Sequence, residues 1–154
     1  MHYHLHAAPR LAVELADPQN NRYSMSHDAT LYEISQKFFF DAAHTLHREI
    51  ETDSSLRIHG HTYHAEVTLS GLKDTQTGMV VDLGLVRVEI EQLRTQLDHR
   101  MLDDIAKLGP TTLENLCAFI WRALVPGLAG LSVVRVWRDS VGDSCTLRGH
   151  PDAP

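Results

Sequence analysis

Two stretches decide how this chain is interpreted: FFFDAAH at residues 38–44 and RIHGHTY at residues 57–63. Both read as strands, the first because it is rich in aromatic residues. Side chains alternate along a strand, so His59 and His61 point to one face. Three converging imidazoles suit Zn²⁺ and leave its fourth position open for water or substrate. The pattern predicts a catalytic zinc site of His44, His59 and His61, although an HxH pair can also arise by chance among eleven histidines.

Composition limits the possible classes of protein. The 154 residues suit one domain with a real core, and a hydrophobic content of 43% is ordinary for a globular protein. The net charge of −6 argues against general nucleic-acid binding but does not exclude an anionic small substrate. Cys117 and Cys145 form no disulfide framework. The low cysteine content favours a reducing, cytoplasmic setting, the charge indicates no nucleic-acid partner, and no apolar run is long enough for a membrane span.

The chain divides into three parts. Residues 1–29 contain His2, His4 and His6, two prolines and a polar run over 17–22, and are predicted to be a flexible extension. A loose second metal site at these histidines is the alternative interpretation. Residues 30–149 form the predicted single domain, and residues 150–154 form a tail.

The order of elements within the domain is predicted as ββααββ. Strands end at His44 and run over 58–71, and apolar spacings of three and four predict a helix over 83–97. Thr111 and Glu114 read as a capping box that opens a second helix. A hairpin closes the domain, with strands over 131–137 and 144–147. The natural packing is an α+β fold, a four-stranded antiparallel sheet with two helices on one face.

Six motifs in order resemble those of the 6-pyruvoyl-tetrahydropterin synthase and 6-carboxytetrahydropterin synthase family. The motifs are AAH at 42–44, HGH plus an aromatic at 59–63, GMVVD at 78–82, LDH at 97–99, TLEN at 112–115 and the closing hairpin that ends in RG at 148–149. The resemblance covers residues 31–149. It implies a tunnelling-fold (T-fold) subunit that assembles into a homo-oligomer, commonly a hexamer of two stacked trimers, with zinc on the three histidines.

The resemblance also implies a reaction. The family acts on 7,8-dihydroneopterin triphosphate, and we expect a lyase that forms 6-carboxy-5,6,7,8-tetrahydropterin, acetaldehyde and triphosphate for the queuosine pathway. The alternatives are the 6-pyruvoyl-tetrahydropterin synthase reaction and a catalytically altered paralogue that binds zinc and pterin. A generic zinc hydrolase is disfavoured because the chain has no HExxH motif.

Further site residues follow from the family motifs. Asp98 and His99 match an orienting carboxylate and its acid/base imidazole, or are simply an Asp-His at a helix end. Asp139 matches the carboxylate that anchors the pterin, although the family usually has Glu there. Glu114 and Thr112 are further substrate-binding candidates, and Glu114 serves equally well in a capping box.

The sequence departs from the family at the catalytic base. A cysteine usually stands four residues before the HGH motif, and this chain has Ser55 there. A serine hydroxyl stays protonated at neutral pH and is a far poorer base than a thiolate. Glu49 and Glu51 lie in the same loop, and Glu51 is the preferred replacement. If neither glutamate reaches the substrate, His99 alone must move the protons.

Overall fold

A computed structural model describes residues 30–50 and 52–149. The predictions for residues 1–29, Glu51 and residues 150–154 lie outside the described residues. The elements are β1 (Tyr32–His44), α1 (Thr52–Ser55), β2 (His59–Gly71), α2 (Leu83–Leu97), β3 (Arg100–Met101), a 3₁₀ turn (Leu102–Asp104), α3 (Leu113–Leu124), β4 (Leu131–Arg138) and β5 (Asp143–Arg148).

The sheet has five strands in the order β3-β1-β2-β4-β5. Four of them form the predicted antiparallel set, but β3 pairs parallel to β1 through Ala42 and Ala43, so the sheet is mixed. The prediction of a four-stranded antiparallel sheet is wrong in this detail. A two-residue strand carries no period in the sequence, and only the return of the chain after α2 creates it.

The core lies between one face of the sheet and the two long helices. α2 packs against β1, and α3 packs against β4 and β5. The apolar residues that the sequence predicts on one face of α2 are buried, and Cys117 is a buried core residue of α3. The predicted capping box is displaced by one residue: Thr112 caps α3 by accepting a hydrogen bond from the Asn115 N–H. This register frees Thr111 for another contact.

The pairing of β1 with β2 positions the histidine motifs. The register runs from Tyr32 opposite Gly71 to His44 opposite His59, so the last residue of β1 faces the first residue of β2. The connection between these strands, with α1, folds back over the same end of the sheet, because the Leu46 N–H donates to the Ser55 carbonyl. Within the described ranges, no helix is long and apolar enough to cross a membrane.

Candidate active site

Three imidazoles meet at this end of the sheet and are called the histidine cluster: His44, His59 and His61. One potential ligand atom of each lies within 4.8 Å of the other two. The ring centroids of His44 and His59 are 4.4 Å apart, and those of His59 and His61 are 5.1 Å apart. Strand alternation and cross-strand pairing therefore place all three side chains on one face, as the sequence predicts.

Hydrogen bonds fix which ring nitrogen faces the centre of the cluster. The Thr111 hydroxyl donates to the Thr45 carbonyl at 2.6 Å, so its oxygen accepts from Nδ1–H of His44 at 3.0 Å. Nδ1 of His59 donates to the Arg57 carbonyl at 2.7 Å. Such bonds hold metal-binding imidazoles in one tautomer and leave the Nε2 lone pair as the ligand.

The cluster has the properties of a metal site. Nε2 of His44 and Nε2 of His61 are buried without a hydrogen-bond partner among the described residues, which is costly unless a ligand satisfies them. Burial, followed by the neighbouring imidazoles, lowers the pKa of His44 to about 4. Burial and the Arg138 guanidinium lower the pKa of His61. Both rings are thus neutral at neutral pH, as zinc coordination requires, and the donor set fits zinc.

A buried ion pair lies beside the histidine cluster. Arg138, the last residue of β4, is 4% exposed and donates two hydrogen bonds to Asp143, from Nε at 3.0 Å and from Nη2. These bonds hold the pKa of Asp143 below its usual range. The guanidinium also lies 5.8 Å from the ring centroid of Tyr63, whose pKa burial raises to about 12. The site therefore contains a fixed guanidinium close to the candidate metal ligands.

Two cavities flank this arrangement, and Arg138 lines both. The first, of about 350 Å³, is also lined by Arg48, Ser55, His59 and His61. The second, of about 300 Å³, extends towards α3 and includes Tyr63, Thr111, Thr112, Glu114 and Asp143. Among the described residues, the lining of the first cavity includes two arginines and no carboxylate, and Asp143 offsets the charge of one of them, Arg138.

Asp98 and His99 form the predicted pair, but at the edge of β1. One oxygen of Asp98 accepts from the Asp41 N–H at 3.0 Å and lies 3.2 Å from His99 Nδ1; the other accepts from Arg94 at 3.1 Å. The hydrogen bond from Asp41 is the main reason that the pKa of Asp98 is lowered. His99 has a left-handed backbone (φ 56°) and a side chain that is 78% exposed. Within the described ranges, no hydrogen bond joins His99 to the histidine cluster.

Ser55 lies in α1 next to the cluster. It is 7% exposed, lines the first cavity, and its hydroxyl donates to the Thr52 carbonyl at 3.2 Å. Glu49 is exposed, and Glu51 lies outside the described residues. The position of Ser55 suits contact with a ligand, but the side chain remains a hydroxyl.

Comparison with known proteins places this site in a family. The family model described as 6-pyruvoyl tetrahydropterin synthase matches residues 33–150. The chain belongs to the 6-pyruvoyl tetrahydropterin synthase family. The match includes the histidine cluster, the Asp98–His99 pair and the closing hairpin.

Curated relatives of this family member carry related names. The 6-pyruvoyl tetrahydrobiopterin synthase of Drosophila melanogaster is 33% identical over 102 residues, which are 57% of this chain and 61% of that protein. The human 6-pyruvoyl tetrahydrobiopterin synthase is 32% identical over 103 residues, 58% of this chain and 71% of that protein. The chain thus spans about three fifths of the length of the Drosophila relative.

Solved structures of the family share the fold. The 6-pyruvoyl tetrahydropterin synthase of Caenorhabditis elegans superposes with a TM-score of 0.67 at 26% identity, covering 79% of this chain and 97% of that one. The Plasmodium falciparum enzyme, at 12% identity and a TM-score of 0.62 over 78% of this chain and 98% of that one, shows the fold alone. The family T-fold therefore agrees with the prediction, apart from the extra strand β3.

The predicted substrate-binding residues fall in different places. Glu114 and Thr112 line the second cavity, although Thr112 also caps α3. Asp139 does not join them: its side chain is 73% exposed and pairs with His64 at 3.2 Å. His64 alternates with the two β2 residues of the histidine cluster and points to the opposite face of the sheet, so Asp139 lies on that face of the described chain and its role in substrate binding stays a prediction.

The sequence patterns do not predict three residues of the site: Thr111, Arg138 and Asp143. The signal for Arg138 was present, because strand alternation puts it on the buried face with Val134 and Val136, where a charge needs a partner. Nothing in the sequence identifies the partner as Asp143, which reads as part of a turn. Thr111 reads as a helix cap, and its contact with His44 spans 67 residues of chain.

Proposed function

We propose that this chain is a zinc-dependent lyase that converts 7,8-dihydroneopterin triphosphate to 6-pyruvoyl-tetrahydropterin and releases triphosphate. The observation that carries the proposal is the buried histidine cluster with unpartnered Nε2 atoms in a member of this family. The names of the curated relatives support the pyruvoyl product rather than the 6-carboxy product expected from the sequence.

The chain's own residues prepare the metal site. Nε2 of each histidine in the cluster would hold the zinc, which supplies Lewis acidity to the hydroxyl groups of the substrate's side chain when bound. Thr111 and the Arg57 carbonyl orient two of the rings from behind. Burial keeps His44 and His61 neutral, and the positive charge of Arg48 in the first cavity favours a substrate that carries phosphate, whereas Asp143 offsets the charge of Arg138.

Proton transfer is assigned to the Asp98–His99 pair. Asp98 faces Nδ1 of His99, so Nδ1 carries the proton and Nε2 is free to accept one as a general base. The 78% exposure of His99 and its lack of a hydrogen bond to its own histidine cluster support transfer between subunits. We therefore propose a closed homo-oligomer, a hexamer of two stacked trimers, in which His99 of one copy serves the cluster of another.

The direct test is incubation of the zinc-loaded full chain with 7,8-dihydroneopterin triphosphate, followed by mass identification of the products. We expect 6-pyruvoyl-tetrahydropterin and triphosphate. Release of acetaldehyde would assign the 6-carboxy reaction instead. An unchanged substrate would contradict the lyase activity.

The metal is tested separately by elemental analysis. We expect one zinc per subunit, lost in His59→Ala. His64→Ala is the matched control, because His64 lies on the same strand and points to the opposite face. Equal zinc content in the wild type and His59→Ala would refute the metal site.

A second candidate function rests on Ser55. Its hydroxyl donates to the Thr52 carbonyl, and a hydroxyl is a poor base at neutral pH. The chain would then bind zinc and a pterin without turnover. Tight pterin binding to the zinc-loaded protein, with no product from the triphosphate substrate, would select this function over the lyase.

A further inference from the structure

We infer that Arg138 binds the acceptor edge of the substrate's ring, formed by O4 and N5, and that Asp143 holds the guanidinium for this contact. The proposal rests on the proposed function, because it takes a dihydropterin as the ligand. It adds a specificity-determining residue that the family motifs in the sequence do not contain.

The first observation is the state of Arg138 itself. Its side chain is 5% exposed, and its two hydrogen bonds to Asp143 use Nε and Nη2. A guanidinium has five N–H donors in a planar fork, so N–H groups remain for other acceptors besides Asp143 and the Tyr63 hydroxyl. Arg138 lines both cavities, so its remaining N–H groups can reach a ligand in either one.

The second observation is the neighbouring hydroxyl. Tyr63 is 1% exposed, and the Arg138 guanidinium is the polar group that faces its buried hydroxyl. Tyr63 lies next to the Arg138 guanidinium, beside the second cavity. A ligand in the second cavity would therefore meet the guanidinium and the phenol hydroxyl together.

The position of the side chain on the pterin ring determines which edge of the ring faces Arg138. The side chain of the substrate is attached at C6, next to N5, and the O4 carbonyl lies beside N5. If the side-chain hydroxyls lie at the histidine cluster, N5 and O4 are the ring acceptors nearest to it. Arg138 lines the first cavity together with His59 and His61, which places its guanidinium close to the cluster. Two adjacent acceptors match an arginine fork, as N7 and O6 of guanine do.

The ion pair with Asp143 indicates that Arg138 binds a neutral acceptor rather than a phosphate. Asp143 already offsets the positive charge of the guanidinium, and its carboxylate would repel a phosphate held on the same group. A carbonyl and a ring nitrogen meet no such repulsion. The pair therefore supplies directed N–H donors with little net charge.

The test compares two ligands that differ at N5 alone: 6-hydroxymethylpterin and its 5-deaza counterpart, in which a C–H replaces N5. Binding to the zinc-loaded full chain is measured by calorimetry. We expect the 5-deaza ligand to bind about tenfold more weakly to the wild type. In Arg138→Met the two affinities should become equal. Arg135→Met is the matched control, since Arg135 is exposed on the same strand, and it should keep the tenfold ratio.

The variant Arg138→Lys tests whether the result for Arg138→Met comes from a folding defect. It keeps the positive charge beside Asp143 but lacks the planar fork, so it should also lose the discrimination against the 5-deaza ligand. Equal binding of both ligands to the wild type, or a ratio that persists in both Arg138 variants, overturns the inference.

Two further outcomes distinguish failure of the ring-edge assignment from failure of the proposed function. If Arg138→Met leaves the ratio intact but weakens binding of inorganic triphosphate, Arg138 serves the phosphates and the ring-edge assignment is refuted. If the zinc-loaded wild type binds neither ligand, the proposed function fails together with the inference. Equal binding of both ligands refutes the ring-edge assignment alone.

Discussion

Removal of the Asp143 carboxylate leaves the Arg138 guanidinium buried without its partner. Arg138 is 5% exposed at its side chain, and Asp143 is 37% exposed. Breaking a buried ion pair from one side costs about 3–5 kcal/mol. Because Asp143 is partly exposed, water replaces some of the lost bonds, and we expect Asp143→Ala to cost about 2 kcal/mol. In a chain of this size that lowers Tm by about 4–8 °C.

The assay is thermal unfolding of the wild type and Asp143→Ala at equal protomer concentration, because assembly shifts the apparent stability. The double variant Arg138→Met/Asp143→Ala removes both charges and should recover most of the loss, since a buried pair replaced by apolar groups is often neutral. A change in Tm below about 1 °C in Asp143→Ala would show that the pair contributes little. A double variant no more stable than the single one would also refute the reasoning.

The stabilisation by the Arg138–Asp143 pair depends on pH in a defined direction. The hydrogen bonds from Arg138 lower the pKa of Asp143 in the folded protein. A depressed carboxyl pKa stabilises the fold above the unfolded value of about 3.9, and this contribution is lost as the pH falls through the folded pKa. The difference between the wild type and Asp143→Ala should therefore be constant near neutral pH, begin to fall below about pH 4 and disappear once the pH is below the folded pKa of Asp143.

Three further predictions concern the site. Thr111→Val removes the oxygen that orients the first histidine of the cluster and should weaken zinc binding about tenfold or more in competition with a chelator, whereas unchanged affinity would show that the ring needs no support. Glu51→Gln should reduce turnover of the triphosphate substrate more than Ser55→Ala does, and the reverse order would make Ser55 the base. Inactive His99→Ala and inactive His59→Ala subunits, unfolded and refolded as a mixture, should regain part of the activity if His99 acts across subunits; a mixture as inactive as its parts would place both residues in one subunit's site.

The histidine cluster is the part of the site that the sequence predicts best. Side-chain alternation follows from the covalent geometry of a strand, so the common face of His59 and His61 is fixed locally. His44 joins them because the two strands pair with the ends of β1 and β2 opposite each other. The stripe of α2 and the closing hairpin follow from the same kind of local periodicity.

The sequence predicts the position of a site residue less well where that position depends on contacts with residues distant along the chain. Counting along the hairpin selects Asp139, but the alternation of β4 turns Arg138 inward, and Asp139 pairs with His64 on the outer face. Asp98 and His99 are adjacent as predicted. Their position at the exposed edge of β1 depends on the path of the chain after α2.

By itself, then, the sequence determined the strands, the two long helices and the donor set of a metal site, because these depend on periodicity over a few residues. Only the tertiary structure decided what surrounds that donor set. Thr111 reaches His44 across 67 residues, and Asp143 meets Arg138 because a turn brings β5 back beside β4. Burial then decides their effect, since a guanidinium or an imidazole changes its chemistry only when water is replaced by these particular neighbours. The two motifs at 38–44 and 57–63 thus predict the candidate metal ligands, whereas the folded chain decides which charged and polar groups surround them.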